Sequence, residues 1–253
     1  MKISIITVCY NSADTISDTI KSIASQTHLD KEHIIVDGAS KDITMDIVRS
    51  SPSVSRFVSE PDLGIYDAMN KGLKLATGDV IGILNSDDYY VDNSVLTQVA
   101  AVFANSEIDA CYADLVYVDQ LDTNKVVRYW KSCNFVPGLF KRGWMPAHPT
   151  FFVRREIYEQ LGDFDLDFRF QADFELTMRF LEIYRITSVY IPKIFIKMRV
   201  GGVSNNSIIN IVKGNIEAYK ACRKNHLAIL PIFIIMKVVS RIPQFFLRPT
   251  NSR

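Results

Sequence analysis

Apolar residues in the first half of the chain fall into short β-branched runs separated by stretches of helical spacing. Ile3 to Val8 is continuously apolar apart from Ser4 and Thr7 and breaks at "CYNSADT", where small polar residues turn the chain and cap a helix. Ile16, Ile20 and Ile23 then recur at helical spacing, which predicts an amphipathic helix to about Gln26. The run "HIIVD" ends at Asp37 and enters "GASKD"; a helix follows to about Arg49, and "RFVS" is a short strand. Ile65, Ala68, Met69 and Ala76 mark one face of a further helix that Gly78 stops, and "DVIGIL" is another buried strand. A mostly parallel α/β sheet flanked by helices satisfies this alternation.

Polar residues collect just past the strand ends: Tyr10 and Asn11, Asp37, Glu60 and Asp62, Asp87 and Asp88. Ligands of open α/β sheets bind in the crevice outside the carboxyl ends of the strands, so these clusters are expected around one pocket. Farther on, a helix is predicted from about Asn93 to Asn105, followed by paired strands in "IDACYADLVYVD" and "KVVRYW". Phe135 to Thr150, with three prolines and two glycines, is expected to be a site-shaping loop. "RREIYEQLGDFD" and "QADFELTMRFLEIY" have helical patterns, and "SVYIPKIFIKMRV" that of a late strand.

The tail, Leu227 to Pro249, is strongly apolar but interrupted by Pro231, Lys237, Arg241 and Pro243. A membrane-spanning helix needs about 20 mostly apolar residues. The tail is therefore expected as a helix in the membrane interface with its cations at head-group level. Packing against the domain or a second subunit is the alternative left open.

Composition narrows the chemistry. The 253 residues carry a net charge of +1, with 48% hydrophobic and 23% charged positions, so bulk charge points to neither nucleic acid nor an acidic partner. Four cysteines without CxxC spacing and four histidines argue against a zinc site or a disulfide framework and suit a reducing cytosol. The first apolar run is too short for a targeting segment and is taken as a strand.

Asp87 and Asp88 end an extended segment, where successive side chains point in opposite directions. One carboxylate can then accept from sugar hydroxyls while the other holds a hard divalent cation shared with a diphosphate. A capping role before the next helix is the alternative for Asp88. Neither GxxxxGK[ST] nor GxGxxG after the first strand is present, which weakens P-loop and dinucleotide readings.

Six stretches, "SIITVCYNSADTISDTIKSIASQT", "IIVDGASKDIT", "EPDLGIYDAMNKGLKLATGDVIGILNSDDYY", "HPTFFVRREIYEQLGDFD", "QADFELTMRFL" and "GGVS", are together similar to the family 2 glycosyltransferases of GT-A fold. The resemblance covers about Lys2 to Ser204 and, within the family, is to bacterial enzymes that build surface polysaccharides such as O-antigen or colanic acid. It implies a catalytic domain over 1–204, with nucleotide-sugar and acceptor halves meeting near residue 110, and a helical extension over 205–253. It also implies an inverting, metal-dependent transfer from a UDP-sugar, with Mn²⁺ or Mg²⁺, to a polyprenyl-diphosphate-linked saccharide. The protein is expected in the cytoplasm, peripheral on the inner face of the membrane.

Residue by residue, the resemblance assigns Asp37 to the base, Tyr10 and Asn11 to the base and ribose pocket, and Asp62 and Gly64 to the nucleotide. Lys71 is a further donor-side candidate. Asp87 falls to the ribose and Asp88 to the metal, with Ser86 standing where the family's DxD motif has its first aspartate. Asp173 matches the general base that deprotonates the acceptor hydroxyl; Ala172 stands before it where most members carry an acid. His148 is a candidate metal or acceptor contact, Trp144 a platform for an acceptor sugar or a core aromatic, and Arg199 a diphosphate contact if the late strand returns to the site. Two rivals are a sugar-phosphate nucleotidyltransferase, whose Gly-rich cationic loop is missing from "CYNSADT", and a binding module without turnover.

Overall fold

The protein is described here by a computed structural model covering residues 1–201 and 208–249. Gly202, Val203 and Ser204 of the "GGVS" motif lie outside the described residues, as does the expected boundary at 204.

Four strands, β1 (Ile3–Cys9), β2 (Lys31–Asp37), β3 (Arg56–Ser59) and β4 (Val80–Ile83), pair in parallel in the order β3-β2-β1-β4. Every residue of β1 is buried, as expected of a strand covered on both faces. Helices α1 (Ile16–Ala24), α2 (Thr44–Arg49) and α3 (Ile65–Leu75) form the crossovers, and α1 turns Ile16, Thr19, Ile20 and Ile23 inward. In register, Cys9 lies beside Asp37 and Asp37 beside Ser59, so the polar strand ends form one rim.

The second half is mixed rather than parallel. It comprises β5 (Tyr89–Tyr90), α4 (Val95–Phe103), β6 (Ala110–Val118), β7 (Val126–Trp130), β8 (Phe152–Arg154), α5 (Arg155–Leu161), α6 (Ala172–Met178) and β9 (Ser188–Arg199). The sheet continues β4-β8-β6-β9-β5, with β7 paired to β6. Strands β8, β7 and β5 run antiparallel to their neighbours, while β9 is parallel to β6. Two short strands went unforeseen, because the two residues of β5 and three of β8 are too few for a period to register.

The C-terminal helices α7 (Ile208–Lys224) and α8 (Phe233–Val239) pack toward α6 and the 135–150 loop. Helix α8 spans seven residues between Pro231 and Pro243, and no described helix is long and apolar enough to cross a membrane. Its orientation overturns one expectation. Lys237, predicted at a head-group surface, is 1% exposed and faces the protein with Phe233, whereas Ile235, Val238 and Val239 face outward. Hydropathy alone assigns the lysine outward; inside, its ammonium donates to Gln171 Oε1.

Candidate active site

The rim formed by β1, β2 and the loop after β3 carries the first group of candidates. Asp37 is fully buried and its carboxylate accepts from Ser40 N (3.0 Å), Ser59 Oγ (2.6 Å), Ser40 Oγ and, more weakly, Cys9 Sγ (3.6 Å). Burial and the neighbouring Asp37 charge push the Cys9 thiol far up, so it stays a protonated donor. Asn11 adopts a left-handed conformation (φ 49°), donates its amide to Ser40 Oγ and accepts from Lys41 N (2.8 Å each). Tyr10 beside it is 58% exposed, an aromatic face open to a ligand.

Asp62 is half-buried and accepts from Gly64 N at 2.8 Å, closing the turn into α3. Gly64 has φ +125° and open space around it, so backbone conformation rather than close approach requires glycine there. Lys71 is engaged by Glu60 (2.9 Å), Asp67 (3.5 Å) and the carbonyl of Pro61 (2.8 Å), contacts that raise its pKa and tie the Glu60–Asp62 turn to α3. Neighbouring Asn70 joins α3 to the segment after α5 through both backbone polar groups of Phe164.

Asp87 and Asp88 follow β4 at the centre of the rim. Asp88 is 0% exposed; Asn85 Nδ2 donates to its Oδ2 at 3.3 Å, while its Oδ1 has no protein partner. Asn85 Oδ1 is likewise buried and unpartnered. Burial, then the adjacent Asp87 charge, pushes Asp88 well above the carboxylate range, and burial also raises half-buried Asp87 against the opposing charge of Arg199. Thr19 Oγ1 donates to the Asp88 carbonyl at 2.7 Å, and Ser86 Oγ lies 2.9 Å from Ser12 Oγ, fixing the turn from below. Two buried, unpartnered oxygen acceptors beside a second carboxylate suit a hard divalent cation. Among the described residues no cage of three or more His, Cys, Asp or Glu surrounds them, so water or substrate oxygens would complete the coordination.

Strand β9 returns to this turn. Its Lys197 pairs with Tyr89, and Arg199, 8% exposed, donates to the Asp87 carbonyl (2.8 Å) and Asp18 Oδ2 (2.5 Å) while lying over the Tyr89 ring. In this arrangement Arg199 braces the aspartate turn from its main-chain side.

Asp173 stands in the first turn of α6. Tyr66 on α3 donates its hydroxyl to Asp173 Oδ1 at 3.1 Å, and His148 Nδ1 is 3.1 Å from Oδ2, off hydrogen-bond alignment. Burial, then the Asp173 charge, holds the Tyr66 phenol well above its usual pKa, so it remains a donor. Burial lowers the His148 pKa against the pull of Asp173, which favours the neutral ring. A small cavity bordered by Met69, Phe151, Tyr158 and Leu176 opens beside Asp173 and His148. Trp144 is occupied differently: its ring packs with Phe140, Phe135 and Tyr112 at 5.4–6.1 Å.

Burial raises the pKa of Tyr117 against the charges of Arg128 and Arg241, and the charges of Asp88 and Asp173 add to the rise. Tyr117 stacks on Trp130, whose ring meets His148 edge-on, and Arg128 lies 4.7 Å over Tyr117 and donates to Gln244 of the tail. Sequence reasoning missed Tyr66, Tyr117, Trp130 and Arg128. Tyr66 was visible inside "DLGIYDAMN"; the others come together through the mixed half of the sheet and carry no local signal.

The family model for glycosyl transferase family 2 matches residues 4–169. A PGL/p-HBAD biosynthesis glycosyltransferase of Mycobacterium bovis is 31% identical over 211 residues, 82% of this chain and 80% of that protein. Among solved structures, S. aureus TarS in complex with UDP-GlcNAc superimposes with a TM-score of 0.66 at 18% identity, covering 96% of this chain and 68% of that one; against a longer TarS chain the share is 39%. The mannosyltransferase PcManGT from Pyrobaculum calidifontis, in complex with GDP-Man and Mn²⁺, gives 0.65 at 19% identity, covering 94% and 68%. These two likenesses establish the GT-A-like fold; with the family match and the identity to the mycobacterial enzyme, the chain belongs to glycosyl transferase family 2.

Proposed function

We propose that this protein is an inverting, metal-dependent glycosyltransferase that moves a sugar from a UDP-sugar to a polyprenyl-diphosphate-linked saccharide at the cytoplasmic face of the membrane. The observation that carries the reading is the buried Asp88 carboxylate, with one oxygen unpartnered, on the same rim as the Tyr66–Asp173–His148 group. In this reading Asp88, with Asn85 Oδ1 alongside, would hold Mn²⁺ or Mg²⁺, which would offset the negative charge developing on the departing diphosphate.

Tyr10, Asn11 and Asp62 bind the nucleoside on the opposite side of the turn, and Asp87 accepts from the ribose. A base reaches Asp37 by displacing Ser40, which now occupies both carboxylate oxygens. The acceptor oxygen forms its bond to the anomeric carbon as the bond to the diphosphate breaks, and the leaving oxygen takes that electron pair. Asp173 takes the acceptor proton. Tyr66 fixes the direction of the carboxylate, and a neutral His148 leaves it free of a locking ion pair.

For membrane contact, the support is the outward face of the tail: Ile235, Val238, Val239, Phe245 and Phe246 are each about half exposed or more, with Arg241 and Arg248 among them. Binding to vesicles containing anionic lipid is expected to drop on Ile235→Asp; unchanged binding would remove the membrane part of the proposal.

Turnover is tested with radiolabelled UDP- and GDP-sugars, Mn²⁺ and a short lipid-diphosphate-sugar acceptor, alongside Asp88→Ala and Asp173→Asn. Product NMR is expected to show inverted anomeric configuration. Full turnover by both variants, or retained configuration, would sink the mechanism.

A further inference from the structure

The C-terminal helices reach the turn that carries Asp173. One Glu217 oxygen on α7 accepts from the amides of Phe170 (2.7 Å) and Gln171 (3.1 Å), satisfying donors at the start of α6 from another helix. Lys237 on α8 approaches the same turn. Its ammonium donates to Gln171 Oε1 and lies 4.7 Å over the Phe174 ring, so it touches residues on both sides of Asp173. Gly143, at φ +79°, admits α8: a Cβ there would stand 2.4 Å from Lys237 Cα.

Helix packing does not by itself require a lysine at this position. At 1% exposure, with one neutral acceptor, the ammonium loses its hydration for little return, and an apolar side chain of similar length would pack there without that loss. What the lysine adds is a directional hold on Gln171, two residues before Asp173.

We propose that Lys237, acting through Gln171 and together with Glu217, is a positioning residue for Asp173. The C-terminal extension is then part of the acceptor side of the site, setting the direction of the base. This rests on the role of Asp173 as base.

The test compares full-length wild type, Lys237→Met, Gln171→Ala and the double variant in transfer kinetics, melting temperature and amide exchange across residues 168–176. Lys237→Met is expected to melt at or above wild type, keep donor KM within about twofold, and lose about 10- to 100-fold in kcat, the scale of a misplaced catalytic group. The double variant should lose no more than the worse single variant, and exchange at Phe170 and Gln171 should quicken in Lys237→Met. A kcat within twofold of wild type, additive losses, or a fall in melting temperature that accompanies lost donor binding would each overturn the proposal. If Lys237→Met does not fold, Gln171→Ala decides: lower kcat at unchanged melting temperature upholds it, and unchanged kcat overturns it. If wild type transfers no sugar, the functional reading fails separately. Exchange then decides the positioning claim: quickening upholds it, and unchanged exchange overturns it.

Discussion

Two carboxylates buried at opposite ends of the same parallel strands have opposite surroundings. Glu32, at the amino end of β2, is 8% exposed and accepts from Ser4 Oγ (2.5 Å), Thr77 N (2.7 Å) and Thr77 Oγ1 (3.0 Å), with Lys2 Nζ at 2.7 Å. Burial alone would raise its pKa, but the bonds from Lys2, Ser4 and Thr77 prevail and hold it at about 2. Asp88, past the carboxyl end of β4, has one bond at 3.3 Å, an unpartnered oxygen and a like charge beside it. A satisfied buried carboxylate ties the sheet together; an unsatisfied one past the carboxyl ends of the strands is where the proposed cation would bind.

Reciprocal substitutions would break this comparison if it is wrong. The largest expected effect is Asp88→Asn, with turnover down about 10³-fold if the charge that holds the metal is lost. The metal-free variant should melt no lower than wild type. The sign follows from the raised folded-state pKa: above the unfolded value, about 3.9, an ionised Asp88 disfavours the fold, and asparagine removes that charge.

Glu32→Gln is the mirror image. Turnover per folded molecule should stay near wild type while stability drops by about 1–2 kcal/mol after allowance for screening, or about 2–8 °C in melting temperature. Because its folded pKa is depressed, the contribution of Glu32 is present above the unfolded value of about 4.3. It is lost as pH falls toward about 2. Acid titration of wild type and variant, followed by circular dichroism, should therefore converge in that window. The smallest effect is Tyr66→Phe, which leaves Asp173 ionisable but less well directed: kcat should drop about 10-fold or less, the scale of one hydrogen bond, with donor KM unchanged.

The parallel half was readable because a covered strand and an amphipathic helix each leave a period in the sequence, as Ile3–Cys9 and Ile16, Ile20, Ile23 do. The rim followed from strand ends, which is how Asp37, Asp62, Asp87 and Asp88 were singled out together. Asp173 came from family resemblance, since nothing periodic links residues 66, 148 and 173. Their meeting depends on the return of β8 beside β4, a two-residue pairing by a three-residue strand without a pattern of its own. Lys237 was misread because hydropathy treats a lysine as a surface group, whereas its ammonium meets Gln171 and the Phe174 ring inside the protein.

The central claim is that the unsatisfied end of the sheet is the metal–diphosphate site, and thermal unfolding with and without Mn²⁺ plus UDP tests it most directly. Wild type should gain several degrees only when both are present, about 2.7 kcal/mol of added stability at a hundredfold excess over the dissociation constant, while Asp88→Asn should start no lower and gain none. An equal gain in Asp88→Asn, or a metal-free Asp88→Asn destabilised as Glu32→Gln is expected to be, would contradict the account.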